Sequence, residues 1–416
     1  MMTAHVLPAV TDSVVSSQGW TDQAAPELPV PSSRRLDSAA QPPLGFPSTA
    51  EGPTLWAGNG GVTFDAETLE LSSDDVTEVE QALKHFLCLE LDGSEVSRET
   101  FPLPQLGPRL DGAAANLHRG SGIHIVRGLT PSAYTAEVNA IIFMGLASYI
   151  GDERGVQTSK GAMLTHVYES SSWTVPREKR HGIHTNNSLP FHNDMGSDIL
   201  AIHVRSCAAR GGGTFVSSAA AIYNAMMKTN PWAVHTLAKH NWPIQVSRRG
   251  ASSFVLAPLL GFESGNLVVS MDPARIGPHP AVKDGCIPDL LPAQKEALAV
   301  LQQTAAEQQV LLPTRQGDLV FINNWAVLHA REAYHDDATA TRHLVRLWLR
   351  NKALAWEIPA SMKTPWESSF GARAKRLRNK QYPIAPMPEY MEPKFSNGSA
   401  AFVLEDSDEE LEEEEL

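Results

Sequence analysis

A mainly β protein with flanking helices is what the sequence predicts, on three observations. From Met163 onward, short runs of β-branched and aromatic residues dominate, separated by Gly, Pro, Asn and Asp turn signals. Two helical patterns interrupt them, Ala219–Met227 and Pro292 to about Gln309. The most informative residues, His192 and His329, lie far apart in sequence, which suits a closed or sandwiched core of jelly-roll type.

Residues 1 to about 55 are rich in Pro, Ser and Ala, lack apolar periodicity and read as disordered. A helix-strand-helix preface follows over residues 56–150. Ser73-Asp74-Asp75 can cap a helix carrying Val76, Val79, Leu83, Phe86 and Leu87 on one face. Ile123 to Leu129 reads as a strand ended by Gly128. Thr130-Pro131 then supplies an N-cap with Pro at the first helical position, and that helix runs to about Ile150.

The core spans residues 151–360. Its expected strands are Leu164–Glu169, Ile199–Ser206, Thr214–Ser218, Ile244–Arg248, Phe254–Ala257, Leu267–Met271, Val310–Leu312, Leu319–Asn323 and Leu344–Leu349. Residues from about 220 to 310 are read as an insertion covering the mouth of the core. A C-terminal extension over residues 361–404 holds a basic run, Arg373 to Lys380. Its plain reading is a solvated helix; a weak nuclear-import or anion-binding segment is the alternative. Residues 405–416 are read as a disordered acidic tail.

Composition narrows the class. The chain has 416 residues, 42% of them hydrophobic, enough for one large domain with appendages. Nine carboxylates and no base lie in the last twelve residues, so the tail accounts for most of the net charge of −13. Nothing suggests a nucleic-acid-binding surface. No apolar run is long enough to span a bilayer, and the N-terminus lacks a signal-peptide pattern. Cys88, Cys207 and Cys286 are isolated thiols, read as reduced, buried or incidental. The expected location is the cytoplasm; homo-oligomerisation stays open.

His192-Asn193-Asp194 carries the chemistry. On a strand, residues i and i+2 point to one face, so an imidazole and a carboxylate aim at one point. One more imidazole would complete a 2-His-1-carboxylate set, which suits non-haem Fe(II) and leaves positions open. The pair alone is weak, because a core histidine satisfied by Asp194 gives the same pattern. His329 follows the apolar run Trp325-Ala326-Val327-Leu328 and is the third ligand preferred. His335 lies in a polar loop, His343 should face outward, and His181 and His184 sit in a basic, polar stretch.

Two further stretches bear on an anion. Gly211-Gly212-Gly213-Thr214 opens a strand; no Lys-Ser/Thr follows, so a phosphate loop is set aside, and Thr214 reads equally as a simple strand start. Arg342 and Arg346 share a strand face with Leu344 and Trp348, opposite Val345, Leu347 and Leu349. A buried guanidinium is costly without an anion, and its fork suits a carboxylate.

This ordered set resembles the taurine dioxygenase / 2,4-dichlorophenoxyacetate dioxygenase family of Fe(II)- and 2-oxoglutarate-dependent oxygenases. The resemblance rests on His-x-Asp, a Gly-Gly-x-Thr turn, a distal His and Arg-x-x-x-Arg, in order from about Ile123 to Asn351. It implies a double-stranded β-helix, or jelly roll, of clavaminate synthase type, with the preface packed against the barrel. It implies His192, Asp194 and His329 as iron ligands, and Thr214 and Arg342 as contacts to 2-oxoglutarate. Arg346 sits where some members bind an anionic substrate, although it could instead pair with a protein carboxylate on the rim; Arg331 and Asn187 are further substrate candidates. Asn193 stands where Thr is common, at a position expected to point away from the metal.

The implied reaction oxidises a small organic molecule, usually by hydroxylation, with O₂ consumed and succinate and CO₂ as co-products. The metal and the 2-oxo acid supply the chemistry, so no residue beyond the metal ligands is assigned a catalytic role. Related halogenases lack the carboxylate that Asp194 provides, so its presence favours hydroxylation or another oxidation. Two other readings stay open: a catalytically silent jelly roll serving as an interaction module, and a metal-dependent jelly-roll enzyme that needs no 2-oxoglutarate.

Overall fold

A computed structural model describes residues 41–58, 63–158, 160–248, 251–278, 287–391 and 402–405. Two facing sheets form a jelly roll. The major sheet has the strand order Thr68–Glu70, Ile123–Arg127, Leu319–Asn323, Ile199–Ser206, His343–Arg350 and Glu153–Gly155, with Leu164–Tyr168 also paired to His343–Arg350. The minor sheet orders Val310–Leu311, Thr214–Ser218, Val327–Arg331 and Leu189–His192. Between the sheets, Ile123, Ile125, Leu200, Val216, Ile322, Val327, Leu344 and Trp348 pack into one core.

Alternation along His343–Arg350 assigns its faces. Leu344 and Trp348 enter the core between the sheets, while Val345, Leu347 and Leu349 meet the preface helices on the other side. This is the period-two division expected of a strand buried on both faces. The helices beneath are Ser73–Cys88, Gly107–Arg119 and Ala136–Ile150.

Several boundaries differ from the sequence expectation. The first helix is capped by Ser72, whose hydroxyl accepts from the Asp75 amide while Asp75 returns a bond to the Ser72 amide. Its buried residues include Val79 and Phe86, but Leu87 is half exposed. Pro131 begins only a 3₁₀ turn; the helix starts after Thr135, whose hydroxyl caps the Val138 amide. Gly107–Arg119 was not anticipated.

The expected disorder of residues 1–55 does not hold at its C-terminal end. Residues 41–55 pack on the helix Ala219–Thr229: Tyr223 donates to the Pro47 carbonyl, and Asn224 exchanges two bonds with the backbone of Ala50. Residues 1–40, Cys286 and residues 406–416 lie outside the described residues. Cys88 and Cys207 are free and exposed rather than buried. Among the described residues no helix is long and apolar enough to cross a membrane.

The region from about 220 to 310, expected as an insertion, packs on the minor sheet. Its helices, Ala219–Thr229, Pro231–Leu237 and Pro292–Glu307, share a core with Phe191, Leu328 and Ala330 on the outer face of the minor sheet. Gln302 clamps the edge strand by accepting from the Phe191 amide at 2.8 Å and donating to its carbonyl at 2.6 Å. An edge strand's free backbone groups are thereby satisfied. The C-terminal extension is also built in: Gln381, Pro383 and Pro388 offer carbonyls to Met163, His166 and Trp173. The basic run forms only a five-residue helix, Ala372–Arg376, where Lys375 pairs with Glu153 at 3.4 Å.

Candidate metal and anion site

The strand Leu189–His192 ends at His192, and Asp194 lies in the turn beyond it. The two residues are therefore not successive same-face positions of one strand. Their convergence depends on how the turn is held. Asn324, fully buried, accepts from the Asp194 amide and donates to the carbonyls of Asp194 and Ser197, at 2.7–2.9 Å. Asn193 points away from the metal-facing side, as expected, but it is not idle. Its amide nitrogen donates to the Asn324 carbonyl, and its oxygen accepts from the Met271 amide. The ligand turn is thus tied both to the Asn323-Asn324 turn and to the insertion.

His329 comes from the neighbouring antiparallel strand, where its Cα register partner is His192. Directly opposed residues in such a pair bring their side chains together, and the two imidazole centroids are 4.2 Å apart. One oxygen of Asp194 lies 4.0 Å from Nε2 of each histidine. All three ligand atoms fall within 4.8 Å of one another.

Hydrogen bonding fixes the chemistry of these atoms. His192 Nδ1 lies 2.8 Å from the Pro190 carbonyl, which can only accept; Nδ1 therefore carries a proton, and Nε2 is the ring nitrogen available to a metal. Burial pushes His329 down to about 3, with His192 and Arg346 adding to the effect and Asp194 opposing it, so its ring is neutral. Burial alone would raise the Asp194 carboxyl, but Arg346, His329, His192 and the Trp348 indole hold it well below the usual carboxylate range. A nitrogen of each imidazole and a carboxylate oxygen thus converge on a common point. That donor set fits a divalent cation, and Fe(II) in particular.

Arg346 meets a protein carboxylate, the alternative to a substrate contact left open by the sequence. Its Nη1 donates to Asp194 Oδ2 at 3.0 Å and its Nε to Gln157 at 2.8 Å. Trp348 donates its indole N–H to the same Oδ2 at 2.8 Å. Arg346 is the nearest cation to a buried carboxylate, and that attraction engages it within the protein. Together these donors occupy one oxygen of Asp194 and leave the other facing the histidines. Sequence reasoning placed Trp348 on the right face without assigning it a role, and it missed Gln157 and Asn324.

A second group of residues gathers beyond His329. Arg331 lies two positions along the strand and pairs in register with Thr214. Arg342 precedes the last core strand and donates through Nε to the Gly212 carbonyl at 3.2 Å. The guanidinium carbons of Arg331 and Arg342 lie 5.2 Å and 5.4 Å from the ring centroid of Tyr334. Gly212 has φ +77°, and a Cβ there would come within 2.9 Å of Arg342 Cδ, so only glycine admits this approach. Both arginines are buried, and Nη1 of Arg342 has no partner among the described residues. A buried guanidinium nitrogen left without a partner fits a carboxylate.

Of the two further substrate candidates, Arg331 is buried and its Nη2 donates to the carbonyls of Gly182, Thr185 and Asn187. Asn187 is exposed and contributes its backbone to this contact. The rival histidines are accounted for as well. His335 is exposed, while His343, expected to face outward, is half-buried, with its Nε2 2.7 Å from His166 Nδ1. His184 is buried beside Trp173 and Tyr390 rather than in a solvated stretch.

The family described as "Taurine catabolism dioxygenase TauD, TfdA family" matches residues 87–348. The chain belongs to this family. It is 35% identical to a taurine hydroxylase-like protein, SAT17, of Stachybotrys chartarum, over 76% of this chain and 83% of that protein. It is 24% identical to the FR-33289 synthase of Streptomyces rubellomurinus, over 65% of this chain and 80% of that enzyme. Among solved structures, an asparagine oxygenase in complex with Fe(II), 2S,3S-3-hydroxyasparagine and succinate shares the fold. The TM-score is 0.54 at 16% identity, covering 68% of this chain and 93% of that one. As a TauD/TfdA member the chain is a 2-oxoglutarate-dependent dioxygenase that uses Fe(II) and O₂ on a small molecule. The interaction-module reading has no support among these relatives.

Proposed function

We propose that His192, Asp194 and His329 hold the Fe(II) of this dioxygenase, and that Arg342 and Thr214 receive the distal carboxylate of 2-oxoglutarate. The observation that carries this reading is the convergence of three potential ligand atoms within 4.8 Å, two of them on residues opposed across one strand pair. When bound, the metal and the 2-oxo acid couple decarboxylation to oxidation of a small organic substrate. The residues of this chain do the rest. Trp348 and Arg346 orient Asp194, Pro190 sets the His192 tautomer, and Asn324 and Asn193 hold the turn that carries the carboxylate. Asp194 favours hydroxylation or a related oxidation over halogenation, because it fills the coordination position a halide would need.

The test is succinate formation from 2-oxoglutarate by protein loaded anaerobically with Fe(II), screened across small carboxylates, sulfonates and neutral analogues. Wild type should form succinate and His192→Ala should not; full turnover by the variant would remove His192 from the ligand set. Arg342→Ala should raise the 2-oxoglutarate requirement, and an unchanged requirement would move the carboxylate clamp elsewhere.

A further inference from the structure

Three nitrogen donors in the pocket beyond His329 have no partner among the described residues: Arg342 Nη1, Arg331 Nη1 and Arg331 Nε. Arg331 and Arg342 are 5% and 4% exposed, so water does not relieve them. Both guanidinium groups approach one tyrosine ring, Tyr334, they are close enough to act on each other's charge, and no ion pair is made by either side chain among the described residues. Two buried guanidinium groups without an anion are costly, by several kcal/mol for each ion on general grounds. A structure that keeps both in place calls for an anion shared by both.

We infer that Arg331 is a second arginine for the distal carboxylate of 2-oxoglutarate, acting with Arg342. The inference rests on the proposed site reading. Position along the strand supports it. Arg331 is two residues past His329 on the same strand face, about 7 Å from it by strand rise. That separation matches a five-carbon diacid held at its 2-oxo acid end near His329. Register supports it too, because Thr214 lies directly across the strand pair from Arg331. The donor count closes the argument. An ionised carboxylate offers about four lone-pair sites. The three unpartnered guanidinium nitrogens carry five N–H groups, enough to fill those sites before the Thr214 hydroxyl is counted.

Arg331 therefore sets the preference for a charged distal end, and it holds that end while its Nη2 remains bound to the 182–187 loop. The pocket then reads the length and the charge of the cosubstrate together. A 2-oxo acid of the same length with an uncharged end would leave both arginines unpaired.

The test is equilibrium binding of 2-oxoglutarate and of 2-oxopentanoate to the Co(II)-loaded protein without O₂. The readout is the ratio of the two affinities, which does not depend on the fraction of active protein. Wild type should prefer 2-oxoglutarate by a hundredfold or more. Arg331→Met should lower that ratio at least tenfold while leaving 2-oxopentanoate affinity within threefold. Arg331→Lys, which keeps the charge but not the fork, should fall between. A ratio unchanged in both variants would overturn the role of Arg331. If wild type binds Co(II) but shows no preference between the two acids, the site reading itself fails, so the two failures are distinguishable.

Discussion

His329 stands directly across an antiparallel strand pair from His192, with their ring centroids 4.2 Å apart. The opposed pair explains how residues 137 positions apart converge without a long loop having to place either one. The backbone ladder sets the separation of the two imidazoles. Only the third donor, Asp194, depends on a turn, and that turn is where the fold concentrates its buried polar contacts.

Trp348→Phe keeps the ring packing of the inter-sheet core and deletes one N–H bond to Asp194 Oδ2. Partners that orient a ligand usually affect metal affinity by roughly ten- to hundredfold. Fe(II) or Co(II) should therefore bind about ten- to hundredfold more weakly, with little change in the melting temperature of the metal-free protein. Unchanged metal affinity would mean that Arg346 alone orients the carboxylate.

Asn324→Ala removes three hydrogen bonds at a fully buried position and strands the Asp194 amide. Leaving buried polar groups unsatisfied costs about 1–3 kcal/mol each, so denaturant unfolding should show a loss of about 3 kcal/mol or more. Metal binding should weaken together with stability. A variant as stable as wild type would show that the turn is held by Asn193 without this clamp.

Gly212→Ala places a methyl group against Arg342 and forces a residue with a side chain to adopt φ +77°. Strain of this kind costs about 1–2 kcal/mol. The expected result is a rise of about tenfold in the 2-oxoglutarate concentration needed, with metal affinity preserved. Equal 2-oxoglutarate dependence would separate the glycine turn from the carboxylate pocket.

Stability should fall on acidification through two histidines remote from the metal site. Burial pushes His124 down to about 4; burial, with Arg205 and His343 adding to it, pushes His203 down to about 3. In both cases the folded value lies below the ordinary value of 6.5. The unfolded chain therefore binds protons that the folded chain refuses, and stability is lost as pH falls from about 6.5 toward 4. Each such group contributes a slope of up to about 1.4 kcal/mol per pH unit. His124→Gln should flatten the stability profile between pH 6 and about 4; parallel profiles for the variant and wild type would contradict the assignment.

Much of this fold was legible in the sequence. The strands Ile199–Ser206, Thr214–Ser218 and Leu319–Asn323 have the boundaries that their apolar and β-branched runs predict. The face division of His343–Arg350 followed from alternation alone. The helix Gly107–Arg119 was hidden because Gly107, Pro108 and Gly112 interrupt its apolar pattern, although Leu110, Ala113, Ala114 and Leu117 are buried. The three candidate ligands were found by order along the chain. What holds them was not, because Asp194 meets Arg346 and Trp348 across more than 150 residues, through sheet register. Arg346 could be read either as a substrate contact or as the partner of a protein carboxylate, because one strand face shows where a cation points, not which buried carboxylate awaits it. Residues 41–55 looked disordered because their contacts to Tyr223 and Asn224 are made largely by backbone, which leaves little trace in composition.

Anaerobic titration with Fe(II), counted per chain in wild type and in His329→Ala, tests the central claim most directly. One ion per wild-type chain, with binding lost in a variant that remains folded, is the predicted result. Stoichiometric binding that survives the loss of His329 would contradict it.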